Sequence, residues 1–368
     1  MRDLNVAIQP SFLPYLAEEK IITVFDEMHP FPATRYQGSK NKLTDWIWEN
    51  IYDINFTTAL DAFGGTGSVS HMLKRKGKEV IYNDILRFNS IIGTALIEND
   101  SILLTEEDIE FILNNDSGSF NFIQKTFKGI FYTDEENAWL DKTIFNIELL
   151  GDRYKRAIAY FSLFQSCIIK RPYNLFHRAN LYLRLSTVKR SFGNKATWDK
   201  SFESCFRHFA AEANSSIFSN GKNCVALNKD VATFDSKNID LVYLDPPYIS
   251  SNGVGTDYLD FYHFLEGIAN YKTWNNKINH RYKHLPIKNK KKNPWTNKNQ
   301  IEREFHKIIS KFSDSTIVIS YRSDGIPSIE QICDILSQYG KKMCVVSNRD
   351  YKYALSHSKT KEVLIISK

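Results

Sequence analysis

The chain has no apolar run of the roughly 18 residues that a membrane-spanning helix needs. Its first twenty residues, MRDLNVAIQPSFLPYLAEEK, lack a basic stretch followed by a long apolar one, so no signal peptide is predicted there. Its five cysteines (Cys167, Cys205, Cys224, Cys333 and Cys344) form no C-x-x-C pair. That spacing argues against a zinc site and a disulfide framework, and it predicts a reducing, cytoplasmic setting with no metal. Acid is also missing locally: none falls between Glu266 and Glu302, and none from Cys167 to Lys195.

What fills the acid-free segments is basic and aromatic. The later one carries Lys272, Lys277, Arg281, Lys283, Lys288, Lys290, Lys291, Lys292 and Lys298 among Tyr271, Trp274, Tyr282 and Trp295. The earlier one carries Lys170, Arg171, Arg178, Arg184, Lys189 and Arg190. With a formal charge of +6, two such segments predict phosphate-contacting surface with stacking or anchoring rings. The plainer alternative is a pair of solvated loops.

The secondary-structure signals alternate. NKLTDWIWENIYDI (41–54) has helical spacing, TTALDAF (57–63) reads as a buried strand, and GGTGS breaks it. SVSHMLKRKG (68–77) reads as a helix closed by Gly77, and KEVIYND (78–84) as the next strand. Strand, glycine turn, helix, strand is a βαβ unit, which implies a parallel sheet. Strands resume at 223–230, 240–245 and 315–320, and the last two, KMCVVSNRDY and KEVLIISK, suit an antiparallel hairpin at a sheet edge. The stretch from about 90 to 220 is mostly helical in pattern and interrupts the sheet.

In such sheets ligands bind at the carboxyl ends of the strands. DAFGGTGS lies at one such end, and Asp84 closes the next strand about 20 residues later, where an acid can accept from ribose hydroxyls. A dinucleotide fingerprint would place a third glycine where Ser70 stands, so the NAD pattern is incomplete. Asp61, just before the turn, would repel a pyrophosphate but suits a cofactor with an ammonium group. DLVYLDPPYIS (240–250) ends another buried strand on Asp245, Pro246, Pro247 and Tyr248. Two prolines make the turn stiff and remove two N–H donors, leaving acceptors that can grip an amino group. Tyr248 adds a flat face for a base.

These segments together resemble the Dam-like, D12-class DNA adenine-N6 methyltransferases, over residues from about 31 to 368 and in the order of the α group. TRYQGSKNKL (34–43) resembles their N-terminal cofactor motif, and LDAFGGTGSVS (60–70) their glycine motif. KRPYNLFHRANLYLR (170–184), GTDYLDFYHFLEG (255–267) and ISYRSDG (319–325) resemble segments of restriction-associated members. The resemblance implies S-adenosyl-L-methionine as cofactor, held by Tyr36, Lys40, Asp61, Phe63, Gly65, Gly67, Asp84, Asp230 and Asp245. It implies Asp245, Pro246, Pro247 and Tyr248 as the catalytic tetrapeptide. Double-stranded DNA is the implied substrate, with contacts expected from Lys170, Arg171, Arg178, Arg184, Lys189, Arg190, Arg281 and Lys283. A cognate restriction endonuclease is the implied partner, and no membrane is.

The expected fold is α/β: a Rossmann-like, doubly wound, mostly parallel sheet with an antiparallel C-terminal edge hairpin. Residues 1–90 and 220–368 would form the catalytic domain, with a basic insertion at 268–300, and 91–219 a helical target-recognition region. No cysteine follows a proline, which excludes cytosine-C5 chemistry. Cytosine-N4 transfer, and a nucleic-acid-binding protein with an inactive methyltransferase domain, stay open as alternatives. The lysine-rich tract at 283–298 has no counterpart in the resemblance.

Overall fold

Short, continuously apolar strands separated by helical segments specify a parallel sheet covered on both faces. The structure is a computed structural model and describes residues 29–186, 195–235, 237–288, 293–348 and 360–368. Seven strands form one sheet: β1 (Thr58–Asp61), β2 (Glu79–Asn83), β3 (Val225–Leu227), β4 (Leu241–Leu244), β5 (Thr316–Arg322), β6 (Met343–Asn348) and β7 (Glu362–Ser367). Their order is β3-β2-β1-β4-β5-β7-β6. β1 to β5 run parallel, and β7 pairs antiparallel with both β5 and β6. All six residues of β7 are buried, whereas β6 exposes Cys344 and Val345. The more apolar strand therefore lies inside, and β6 forms the edge.

After β1 the chain turns to β2 on one side, and after β4 it turns to β5 on the other. The crevice between β1 and β4 is thus the switch point where ligands bind in open α/β sheets.

Nine helices matter to the site's setting: α1 (Thr44–Ile51), α2 (Ser68–Arg75), α3 (Arg87–Gly93), α4 (Asp134–Leu149), α5 (Arg153–Ile169), α6 (Phe202–Ser216), α7 (Tyr258–Ala269), α8 (Ile301–Lys311) and α9 (Ile329–Gln338). Strand alternation separates two cores. Val242 and Leu244 of β4 face a cluster with Phe305, Ile308 and Ile309 of α8 and Ile332 and Leu336 of α9. Leu241 and Tyr243 face the other cluster, which runs without interruption through α3, α4, α5, α6 and α7. The helical stretch after residue 90 therefore shares its core with the sheet.

Helix α5 is the hub of that side. Asp152 caps it, accepting from the Tyr154 and Lys155 amides at 2.7 and 2.9 Å. Every residue from Ala157 to Ile168 is buried, as expected of a helix packed on all sides. Its hydroxyls avoid an unmet polar group by bonding back along the helix: Ser162 Oγ donates to the Ile158 carbonyl at 2.8 Å and Ser166 Oγ to Ser162 at 2.7 Å.

Candidate active site

The glycine turn after β1 is shaped by Tyr82. A Cβ at Gly64 would fall 2.1 Å from the Tyr82 ring, and one at Gly93 of α3 would fall 2.4 Å from it. The Tyr82 hydroxyl donates toward the Gly65 and Asn89 carbonyls at 2.7 and 3.0 Å. Gly65 and Gly67 take φ of +51° and +82°, a region that L side chains avoid. Asp84 at the end of β2 then binds the turn: Oδ2 accepts from the Gly65 amide at 2.9 Å and from Asn89 Nδ2 at 3.1 Å, and Oδ1 from the Leu86 amide at 2.8 Å.

Asp245 leaves β4 at the same sheet edge. Lys40 Nζ lies 2.8 Å from each of its carboxylate oxygens. Lys40 also donates to the Tyr248 hydroxyl at 2.7 Å, and that hydroxyl donates to Asp245 Oδ1 at 2.5 Å. Glu362, the first residue of β7, closes the group, with Oε1 at 3.5 Å from Lys40 Nζ and 3.2 Å from the Tyr248 hydroxyl. Burial alone would lower the Lys40 pKa, but Asp245 and Glu362 outweigh it and hold the ammonium well above the usual lysine value. Burial raises the Asp245 pKa, Lys40 pulls it back, and Glu362 pushes it up again.

Tyr36 fixes the N-terminal motif to α7. Its ring stacks on Tyr262 at 4.4 Å and on Tyr258 at 5.5 Å, and the Gln37 amide donates to the Tyr262 hydroxyl at 2.8 Å.

Tyr36, Lys40, Asp61, Phe63, Gly65, Asp84, Asp245 and Pro247 line one cleft at the carboxyl ends of the strands, the place where ligands bind in open α/β sheets. Asp61 is 1 % exposed; its Oδ2 accepts from Ser70 Oγ at 2.7 Å. Its Oδ1 is buried with no hydrogen-bond partner among the described residues. A buried, half-partnered carboxylate in a cleft suits a cationic group, and desolvation pushes its pKa up to about 7. Asp84 is likewise raised by burial, to about 6, with its three donors opposing the shift. The residues present therefore fit a cofactor bearing an ammonium and hydroxyl groups. Asp230, exposed at the rim, lines an adjoining cleft with Phe63, Ile85, Lys229, Trp274 and Trp295.

Residues 36–335 match the family of D12 class N6 adenine-specific DNA methyltransferases. The chain belongs to that family. It is 31% identical over 344 residues to the Type II methyltransferase M2.HphI of Haemophilus parahaemolyticus, an alignment covering 91% of this chain and 97% of the relative. It is 26% identical over 322 residues to the Type II methyltransferase M.CviAII of Paramecium bursaria Chlorella virus 1, covering 85% and 90% respectively. Against the Type II methyltransferase M.NlaIII of Neisseria lactamica the identity is 23% over 321 residues, covering 83% and 88%. This adenine-specific DNA methyltransferase needs a methyl donor, and the cleft between β1 and β4 is the candidate place for it.

The structure corrects three of the expected DNA contacts in the methyltransferase: Lys170, Arg171 and Arg184 are buried. Their partners are internal. Glu136, which completes a capping box with Thr133 at the start of α4, also takes both ends of the Arg184 guanidinium at 2.8 and 2.7 Å and Lys170 Nζ at 3.1 Å. Arg171 donates to the Phe131, Leu175 and Arg178 carbonyls and to Asn180 Oδ1, with its guanidinium 4.5 Å from the Phe131 ring centre. Burial lowers its pKa to about 10. Arg178, Arg281 and Lys283 are exposed as expected, and Lys189 and Arg190 lie outside the described residues.

The two basic segments meet across α7. The Phe176 amide donates to the Phe261 carbonyl at 2.9 Å, and His263 Nε2 pairs with the Phe176 carbonyl at 3.0 Å. On its other side the His263 ring lies 5.6 Å from that of His284. Exposed Tyr173, Tyr182 and Tyr282 stand in these segments. Sequence reasoning gave no role to Glu362, Asn89, Tyr258 or Tyr262. The one usable signal was an acid opening the otherwise apolar run EVLIIS.

Proposed function

We propose that this methyltransferase transfers a methyl group from S-adenosyl-L-methionine to the N6 amino group of an adenine flipped out of double-stranded DNA, within a restriction-modification system. The observation that carries this reading is the convergence of Asp61, Asp84 and Asp245, three acids from the ends of β1, β2 and β4, on one cleft with Tyr36 and Lys40. When bound, the cofactor supplies an electrophilic methyl on a sulfonium. Asp61 would take its ammonium, Asp84 its ribose hydroxyls, and Phe63 and Asp230 its adenine end, with Gly65 and Gly67 allowing close approach.

The adenine amino nitrogen is a weak nucleophile because its lone pair is delocalised into the ring. Asp245 and the Pro246 carbonyl accept its two N–H bonds and favour a pyramidal nitrogen. Positioning and preorganised acceptors then supply most of the acceleration. The stiffness of Pro246-Pro247 keeps those acceptors in place. Because N6 is inaccessible inside a duplex, the base is extruded, and the half-buried Tyr248 ring offers it a face. The names of the relatives support the restriction-modification setting, in which a cognate endonuclease would act at the same DNA sites. Arg178, Arg281 and Lys283, with the exposed tyrosines beside them, form the DNA face on either side of α7.

The test is to incubate the protein with methyl-labelled S-adenosylmethionine and unmethylated genomic DNA, then digest to nucleosides. Label in N6-methyl-2′-deoxyadenosine supports the reading. Label in N4-methyl-2′-deoxycytidine would move the target, and no label with donor still bound would favour an inactive binding protein.

A further inference from the structure

Glu362 lies beyond the residues matched to the family and opens β7, a strand otherwise made of apolar residues and Ser367. It is fully buried. A buried carboxylate is costly unless paired and hydrogen-bonded, and Lys40 and Tyr248 tie this one to the reaction centre. Ser320 Oγ of β5 donates to Oε1 at 2.5 Å, the Tyr248 hydroxyl lies 3.2 Å away, and Lys40 Nζ 3.5 Å away. The antiparallel course of β7 is what brings it there. Glu362 registers with Arg322 at the end of β5, so the first residue of β7 lies at the carboxyl edge to which β4 delivers Asp245.

Lys40 thus stands between two carboxylates, with Asp245 at 2.8 Å and Glu362 at 3.5 Å. We propose that Glu362 is a positioning residue for methyl transfer: it holds Lys40 and the Tyr248 hydroxyl, and through them sets how Asp245 is presented to the amino group. Lys40 already lies 2.8 Å from both Asp245 oxygens, so an incoming N–H must share them. Glu362 gives the ammonium and the Tyr248 hydroxyl a second acceptor to turn to as the base arrives. Two carboxylates and one ammonium also leave the group with one formal negative charge beside a cleft suited to a cationic donor. The inference rests on Asp245 acting at the amino group.

The test compares wild type, Glu362→Gln and Ser320→Ala in single-turnover transfer to unmethylated genomic DNA across pH 5 to 9, with donor and DNA affinities measured separately. For E362Q the expected rate loss is at least about tenfold, with both affinities within about threefold of wild type. The acid limb of its pH–rate profile moves to lower pH, because the negative neighbour that raises the Asp245 pKa is gone. S320A moves the same limb by less. A folded E362Q with wild-type rate and an unmoved limb overturns the proposal, as does a rate loss with the limb unmoved. If E362Q does not fold, S320A decides: a wild-type profile overturns the proposal. Absence of transfer by wild type would instead sink the reading of Asp245 itself.

Discussion

Lys40 Nζ is equidistant from the two carboxylate oxygens of Asp245, at 2.8 Å from each, although 205 residues separate them in the chain. The N-terminal motif is therefore an electrostatic partner of the tetrapeptide as well as a wall of the cofactor cleft. Removing the ammonium leaves the buried Glu362 and the partly buried Asp245 together without their cation.

Lys40→Met is expected to lower unfolding free energy by about 3–5 kcal/mol at pH 7.5, the usual consequence of stranding a buried charge. The pH dependence has a definite sign. Without Lys40 the folded-state pKa of Asp245 lies further above its unfolded value, so the penalty is present above the folded pKa and is relieved as pH falls through it. Urea melts at pH 7.5 and 5.5 check this; a mutant deficit as large at pH 5.5 as at 7.5 contradicts it.

Donor binding is expected to be pH-linked through Asp61. Its pKa of about 7 in the free protein means that it is largely protonated at pH 6, whereas an ammonium partner requires it ionised. Binding therefore releases a proton, and affinity weakens by up to about tenfold per pH unit below 7 while levelling off above it. Asp61→Asn is expected to bind weakly with a flat profile. Calorimetry from pH 5.5 to 8.5 decides, and a flat wild-type profile refutes the linkage.

Two arginines of one basic segment are expected to behave in opposite ways. Arg184→Ala removes the two-pronged partner of Glu136 near the start of α4, leaving it Lys170, and is expected to cost about 3 kcal/mol of stability. Arg178→Ala is expected to leave the melting temperature unchanged, to weaken DNA binding, and to reduce the salt slope by about one. Melting curves and affinities at several salt concentrations separate the two. Equal loss of DNA affinity in both, with both stable, would restore the surface reading of Arg184.

These residues show where sequence was sufficient. Asp61, Asp84 and Asp245 were legible because each closes a short strand with an apolar centre, and parallel topology brings such ends to one edge. The sheet, its antiparallel hairpin and the glycine turn follow from the same local signals. Lys170, Arg171 and Arg184 were not legible, because an acid-free run reads as a charged surface until Glu136, some 48 residues before Arg184, is seen to enter it. Glu362 was hidden for a topological reason. Only pairing on β5 in an antiparallel sense turns the start of the last strand toward the site. Tyr258 and Tyr262 stack on Tyr36 through an equally long-range contact.

The most direct measurement is single-turnover methyl transfer by Asp245→Ala, with DNA binding measured on the same protein. The expected result is a rate at least about a hundredfold below wild type, the scale of losing a preorganised group in the transition state, with DNA affinity largely intact. A variant that keeps more than about a tenth of the wild-type rate, a barrier change under about 1.4 kcal/mol, would show that Asp245 does not hold the reacting amino group.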